Sequence, residues 1–120
     1  LGREDGSRRM PLRSHSAGAA AEISFEGTGA VVVGALAKDG GFADIYLDGK
    51  LVERIDAFND GDRSSDGLWG RFDLEPGRHT IRVVVQGEPY PGSTGAWVYL
   101  EDLIVFQRPP HASQAARQGK

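Results

Sequence analysis

The dipeptide Asp48-Gly49 lies between two runs rich in apolar residues, and it limits the possible folds more than any other feature of the sequence. A two-residue loop of this composition is typical of a type I′ β-hairpin, in which both central residues adopt a positive φ. Glycine adopts such a φ freely, and aspartate tolerates it. The pattern predicts antiparallel strands at about residues 42–47 and 50–55. Because an isolated hairpin is at best marginally stable in water, other strands have to pack on it.

The rest of the chain also consists of strand-like segments separated by turns. Its 120 residues include 17 glycines and six prolines, and few segments have helical periodicity. This combination favours one all-β domain, an antiparallel β-sandwich, which we predict over residues 17–108. We interpret residues 1–16 as an extended, solvated lead-in that could include a short edge strand, and residues 109–120 as a flexible C-terminal tail. The further predicted strands are 21–25, 30–36, 68–74, 79–86 and 97–107.

Alternation of apolar and polar residues predicts the core faces of these strands. Gly34, inside an apolar run, indicates a bulge or a close backbone approach. His79, at the start of a strand, is interpreted as a capping or packing residue. The expected core residues are Ile81, Val83 and Val85 in one strand and Val98, Leu100, Ile104 and Phe106 in the last, with Asp102 in the same register.

Charge and composition exclude several functions. The formal net charge is −3, so no basic footprint for nucleic acid or an anionic membrane is present, and we expect neither as a partner. Cysteine is absent, which excludes disulfides, a Cys-ligated zinc and a thiol nucleophile. No nucleophile elbow, facing acid pair or phosphate-binding loop is recognisable, so we do not expect an enzyme. Because residue 1 is Leu, we expect a chain processed or cut from a longer protein.

Four segments together resemble the galactose-binding-domain-like superfamily. They are ISFEGTGAVVVGAL (23–36), ADIYLDGKLVERID (43–56), LEPGRHTIRVVV (74–85) and WVYLEDLIVF (97–106). The carriers of the resemblance are Phe25 with the Gly27-Thr28-Gly29 turn, the Asp48-Gly49 hairpin, the Gly77-x-His79-Thr80 strand start and Asp102 in the last strand.

The resemblance implies a jelly-roll β-sandwich that acts as a non-catalytic carbohydrate-binding module. Such a module targets an attached polysaccharide-active enzyme to its substrate. Its partners would be an oligo- or polysaccharide and the catalytic domain of the parent chain, and its location would be secreted or periplasmic. Other members of the superfamily serve as spacers or dock onto their catalytic neighbours. The alternative is therefore a structural or docking domain without sugar binding.

Sugar recognition needs an aromatic ring against the C–H face of a pyranose and planar polar groups for its hydroxyls. Trp69 and Arg71 are two residues apart in a predicted strand, so we expect both on the same side. The alternative for Trp69 is burial at a sheet edge, and for Tyr90 it is packing against Pro89 and Pro91; Trp97 is interpreted as core. The candidate ligand-binding residues, in or beside the predicted long loops 58–67 and 87–95, are Trp69, Arg71, Asp62, Tyr90, Asn59 and Asp60.

Calcium is the only cofactor that the sequence suggests, as a structural ion. Residues 62–73 match the ligand spacing of a calcium loop, with Asp62, Ser64, Asp66, Gly67 and Asp73 at the required positions. The resemblance implies a second possibility, a site built from carboxylates near the first and last strands. Its candidates are Glu22, Glu26 and Asp102. The alternative for Asp102 is a carboxylate hydrogen-bonded to backbone at a bulge.

Overall fold

The computed structural model describes residues 7–107, and all of its regular secondary structure is β-strand. Two four-stranded sheets have the orders β1-β8-β3-β6 and β2-β7-β4-β5, with every pairing antiparallel. Strands that are adjacent in a sheet are mostly distant in sequence, and two such four-stranded sheets face each other, which is the jelly-roll arrangement. The predicted fold class is therefore confirmed. Within the described residues no helix could span a membrane. The strands are β1 (Ser7–Ser14), β2 (Ala20–Glu26), β3 (Gly29–Leu36), β4 (Gly41–Leu47), β5 (Lys50–Asp56), β6 (Arg63–Arg71), β7 (Arg78–Pro89) and β8 (Val98–Phe106).

The Asp48-Gly49 hairpin forms as predicted. Asp48 has a φ of 53° and Gly49 a φ of 85°, which are the positive values of a type I′ turn. Leu47 pairs with Lys50 on either side of the turn, so β4 and β5 are joined by two residues. The hairpin is covered by β7, which pairs with the other edge of β4.

A hydrogen-bond network fixes the hairpin turn to the start of β7. One carboxylate oxygen of Asp48 accepts the backbone N–H of Thr80 at 2.8 Å, and the other accepts a bond from His79 Nδ1 at 2.6 Å. His79 Nε2 is 2.6 Å from the carbonyl oxygen of Glu75. Both partners of the ring are acceptors, so the charged imidazolium, with two N–H donors, satisfies them best. The ring centroid also lies 5.8 Å from that of Phe25, so the interpretation of His79 as a capping or packing residue is confirmed.

The core lies between the sheets and is filled by alternate residues of the strands. Ile81, Val83 and Val85 are fully buried, as predicted, and Trp69 belongs to the same apolar cluster. The largest fully buried side chains are Ile45, Ile81, Leu103, Val32, Val83, Val85 and Val98.

A register shift changes the buried face of β8 halfway along the strand. Val33 pairs with Asp102 but Gly34 pairs with Leu100, so one residue of β8 has no partner. Such a bulge moves all later side chains to the opposite face. The predicted core role of Ile104 and Phe106 is therefore wrong, because Val98 and Leu100 are followed in the core by Leu103 and Val105. The prediction for Gly34 is correct: a Cβ there would collide with the carbonyl oxygen of Tyr99.

The sandwich begins earlier than predicted. Within the predicted lead-in 1–16, β1 forms an edge strand paired with β8, and its Met10 is only 4% exposed. The pairing shifts around Pro11, which is where an edge strand tolerates a residue without an N–H. A polar edge strand has few inward positions, which is why its composition resembles a linker. Residues 1–6 and the predicted tail 109–120 lie outside the described residues.

Trp69 allows a test of the packing. Replacing Trp69 with alanine should lower the free energy of unfolding by about 3–5 kcal/mol, because the indole is 6% exposed and the cavity would not fill. Phe72→Ala is the matched control, since Phe72 is 58% exposed, and we expect a change below about 1 kcal/mol. Urea denaturation followed by tryptophan fluorescence and circular dichroism measures both. Equal effects of the two substitutions would contradict the packing described above.

The Asp48–His79 pair predicts a pH-dependent contribution to stability. The hydrogen bond to Asp48, and then that to Glu75, raise the pKa of His79 above its ordinary 6.5, although burial opposes this. Burial pushes the pKa of Asp48 upward, but the hydrogen bonds from His79 and Thr80 outweigh it and lower the value below 3.8. The contribution of His79 to the free energy of unfolding is therefore fully present below about pH 6.5. It is lost as the pH rises through the folded pKa of His79. Stability from Asp48 is complete above about pH 3.8 and is lost as pH falls through its folded pKa.

We expect His79→Gln to be least stable, relative to the parent chain, between these two limits. The loss should be about 1–2 kcal/mol near pH 5, because a hydrogen bond to a charged group is removed while Asp48 is half exposed. It should shrink as the pH rises through the folded pKa of His79. Asp48→Asn keeps a residue suited to the turn. It should also reduce the loss of stability that the parent chain shows as the pH rises through the folded pKa of His79. Thermal unfolding from pH 4 to pH 9 is the measurement. Parallel curves for the parent and His79→Gln would refute the assignment.

Candidate functional site

Four connections meet at one end of the sandwich, which we call the loop end. They are residues 15–19, 37–40, 57–62 and 90–97. The connection 37–40 lies between two of the others: the carbonyl of Ala37 accepts the N–H of Asn59 at 3.0 Å, and that of Lys38 accepts the N–H of Thr94 at 3.0 Å. Gly40 makes this packing possible, since a Cβ there would overlap the carbonyl group of Ala57. The loop end is therefore held together by backbone hydrogen bonds.

A pocket of about 420 Å³ opens at the loop end of the first sheet. Ala35 and Tyr99 in its wall are cross-strand partners on β3 and β8. Val98 and Leu100 point into the core, so Tyr99 between them points outward, away from the second sheet. The pocket is lined by Ala35, Leu36, Ala37, Lys38, Asp39, Asp62, Arg63, Ser64, Thr94 and Tyr99.

Tyr99 and Asp39 are joined by a hydrogen bond within the pocket. The Tyr99 hydroxyl donates to the Asp39 carboxylate, with its oxygen 2.9 and 3.0 Å from the two acceptors. Burial raises the pKa of Tyr99, and the hydrogen bond to Asp39 with the negative charges of Asp39 and Asp62 raises it further, against the opposing charge of Arg13. The phenol therefore stays protonated and orients Asp39, whose remaining lone pairs are available to a ligand.

Trp97 and Tyr99 form a nearly parallel aromatic pair on the outer side of β8. Their rings are inclined by 10° with centroids 6.0 Å apart. The guanidinium carbon of Arg13 is 5.1 Å from the Trp97 centroid and 6.0 Å from that of Tyr99. His15 approaches Trp97 edge-on at 4.4 Å. The interpretation of Trp97 as a core residue is wrong, because its ring is only half-buried and lies beside the pocket.

Of the six candidate ligand residues, only Asp62 lines this pocket. Asn59 and Asp60 belong to the same connection, but Asn59 donates its side-chain N–H to the Gly61 carbonyl at 2.6 Å. Tyr90 lies in the neighbouring connection and stacks on Phe58, with centroids 5.1 Å apart and an angle of 12°. Its ring therefore packs on phenylalanines, and the centroid of Phe42 is 5.7 Å away.

Trp69 and Arg71 do not belong to the site. They share one side of β6, as expected, with the Arg71 guanidinium carbon 5.9 Å from the Trp69 ring. That side is the core side, and Trp69 is 6% exposed, so its ring has no free face for a sugar. Arg71 pairs with Ala30 at the beginning of β3, whereas the pocket lies at the end of β3. The structure therefore shows the alternative for Trp69, which is burial, and it places Arg71 away from this pocket.

The predicted calcium ligands do not come together. Glu22 is on β2 and 3.2 Å from Arg82, while Asp102 is on β8 in the other sheet and 3.5 Å from Arg9. Residues 63–71 of the predicted calcium loop form β6, and Arg63 pairs with Asp66 at 2.9 Å. Over residues 7–107 no three His, Cys, Asp or Glu side chains are grouped so that they could hold a metal ion. Both predicted ligand sets, including Glu26, are thus contradicted by geometry.

The outward positions of Trp97 and Tyr99, which the sequence analysis missed, were indicated by a pattern in the sequence. In the segment WVYL, aromatic residues alternate with aliphatic ones, so burial of Val98 and Leu100 puts Trp97 and Tyr99 on the opposite face. Asp39 sits in a turn-like Lys-Asp-Gly-Gly segment that carries no such signal. Only the pairing of β3 with β8 brings it to Tyr99.

Comparison with known proteins identifies the class of fold. No protein-family model matches the chain. A 73-residue stretch, 61% of the chain, is 40% identical to part of an A-type blood α-D-galactosamine galactosaminidase from Flavonifractor plautii. The chain spans only 7% of that enzyme's length.

Solved structures resemble the chain in fold. A Paenibacillus xanthan lyase matches over 85% of this chain and 12% of its own, with a TM-score of 0.56 and 13% identity. A Paenibacillus cycloisomaltooligosaccharide glucanotransferase, solved with cycloisomaltoheptaose, matches over 93% and 19%, with a TM-score of 0.53 and 17% identity. The CBM36-1 domain of a termite-hindgut xylanase aligns at a TM-score of 0.46, too low to add to the assignment. The chain thus has the β-sandwich fold found as one part of larger carbohydrate-active enzymes.

The Tyr99–Asp39 bond predicts a measurable shift. In Asp39→Asn the negative charge and the strong acceptor are removed, so the pKa of Tyr99 should fall toward its ordinary 10.0. Asp60→Asn in the neighbouring connection is the control and should leave it unchanged. Titration of the Tyr99 ring resonances by NMR measures both variants. An unshifted Tyr99 in Asp39→Asn would mean that the two groups do not interact in solution.

Proposed function

We propose that this chain is a non-catalytic carbohydrate-binding module that holds an oligo- or polysaccharide in the pocket at the loop end. The observation that carries the proposal is the convergence in that pocket of an outward aromatic ring, Tyr99, with an oriented carboxylate, Asp39. Asp62, Arg63 and Thr94 add polar groups around them. An aromatic ring beside planar hydrogen-bonding groups is the chemistry that a pyranose requires.

The position of the pocket suits an attached module. Gln107 donates its side-chain N–H to the Glu26 carbonyl at 3.1 Å, at the end of the sandwich opposite the loops. Ser7 pairs with Ile104 near that same end. The first and last described residues, 7 and 107, therefore lie away from the pocket. We infer that the module targets a polysaccharide-active catalytic domain of a secreted or periplasmic protein, and the matches to parts of carbohydrate-active enzymes support this.

A docking domain without sugar binding is the second candidate. The observation in its favour is a pair of exposed rings at the end opposite the pocket. Phe72 is 58% exposed and Phe106 is 43% exposed, and their centroids are 5.2 Å apart. Exposed apolar rings of this kind can contact a neighbouring protein surface.

Glycan binding tests the first candidate directly. The whole chain is screened against soluble polysaccharides and oligosaccharides, including galactose- and galactosamine-terminated ones, once with calcium and once with EDTA. We expect binding that Tyr99→Ala weakens about tenfold, because the ring contact is lost. Trp97→Ala should also weaken it, and it remains informative if Tyr99→Ala fails to fold. Phe72→Ala, an exposed aromatic at the far end, is the control and should bind as the parent does.

Each result of the screen has a distinct meaning. Binding in both conditions that depends on Tyr99 supports the pocket as the site. Binding lost in EDTA would bring calcium back as a cofactor and require ligands other than the two predicted sets. No binding by a folded sample in either condition would overturn the proposal and favour the docking domain.

A further inference from the structure

Two carboxylates from adjacent connections line the same pocket. Asp39 comes from residues 37–40 and is half-buried, whereas Asp62 comes from 57–62 and is exposed. Asp39 uses its two oxygens to accept one hydroxyl hydrogen from Tyr99, so it retains acceptor capacity. Among the residues that the structure describes, Asp62 makes no hydrogen bond and no ion pair, so its charge is also available to a ligand.

The positive groups around the pocket balance these carboxylates only in part. The Arg63 guanidinium is 2.9 Å from Asp66 and is therefore neutralised by it. Arg13 lies over the aromatic pair, 5.1 Å from the Trp97 centroid, where it interacts with the ring face. Lys38 remains as an exposed, flexible ammonium group. Burial is the largest cause of the raised pKa of Tyr99, and of the charges that act on it, those of Asp39 and Asp62 raise it further whereas that of Arg13 lowers it.

Building on the proposed glycan site, we propose that this pocket prefers sugars with a free ammonium group over their neutral, N-acetylated or acidic counterparts. A protonated hexosamine offers three N–H donors, and Asp39 and Asp62 are acceptors without donors of their own. Hydrogen bonds between ions are stronger than those between neutral groups. An N-acetyl group offers one neutral N–H and adds bulk, and a uronic acid brings a charge that the two carboxylates repel. Asp62 is the residue that determines this specificity, since Asp39 is already oriented by Tyr99.

Four monosaccharides that differ in one group test the preference. Galactosamine, N-acetylgalactosamine, galactose and galacturonic acid are titrated into the ¹⁵N-labelled whole chain at about pH 6, where a primary amine is protonated. The amide shifts of Ala37, Thr94 and Tyr99 report binding at the pocket. We expect galactosamine to bind about three- to tenfold more tightly than galactose, as for a partly exposed ion pair, and galacturonic acid to bind most weakly. Raising the salt concentration should reduce this preference and leave galactose binding unchanged.

Asp62→Asn isolates the charge, because the amide has the same shape and the residue is exposed. It should remove most of the preference for galactosamine over galactose, because the ammonium group loses a charged partner. Asp60→Asn, two residues away and outside the pocket lining, is the matched control and should keep the preference. Both variants are compared at equal ionic strength.

The outcomes separate this inference from the function on which it rests. A galactosamine preference that disappears in Asp62→Asn supports both. Equal binding of galactosamine and galactose at the pocket, or tighter binding of galacturonic acid, overturns the ammonium preference and leaves the glycan site standing. No shift at Ala37, Thr94 or Tyr99 with any of the four sugars overturns the inference; the polysaccharide screen then decides separately whether the module binds longer glycans.

Discussion

Burial of one face of β8 is the constraint on which the site depends. Val98 is fully buried and Leu100 is 5% exposed, and side chains of this size each contribute about 1.5–3 kcal/mol when they leave water. Because side chains alternate along a strand, that burial leaves Trp97 and Tyr99 no direction but outward. The aromatic pair is therefore positioned by the core beneath it, and a ligand contacting it meets rings that the strand already orients.

The bulge in β8 adds a second consequence of the same packing. Beyond Leu100 the buried face passes to Leu103 and Val105, which turns Phe106 out to 43% exposure. Without the register shift, Phe106 would continue the face of Leu100 and point inward. One unpaired residue thus separates the strand into a part that supports the pocket and a part that presents an apolar ring at the other end. The two candidate functions, glycan binding and docking, draw on these two different parts.

Local patterns in the sequence predicted what depends on local chemistry. The hairpin at Asp48-Gly49, the core face of β7 and the close approach at Gly34 all follow from residue type and alternation, and the structure has all three. The sequence did not show that Trp69 is buried, because alternation predicts which residues share a side of a strand but not which side faces the other sheet. The burial of Met10 was not predicted, because an edge strand buries too few side chains to be recognised by its composition. The sequence did not reveal the pocket for a third reason. Asp39, Asp62 and Tyr99 are far apart in sequence, and only the pairing of β3 with β6 and β8 brings them together.

The structure also separates stability from the proposed site. The network of Asp48, His79 and Glu75 lies at the hairpin end, whereas the pocket lies at the loop end, and no hydrogen bond or ion pair identified among residues 7–107 joins the two groups. A core of close-packed aliphatic side chains, which carry no charge, lies between them. Protonation of His79 therefore changes how firmly the hairpin is held without adding charge near Asp39 or Asp62. The stability of the hairpin and the charge of the proposed pocket therefore depend on separate groups of residues.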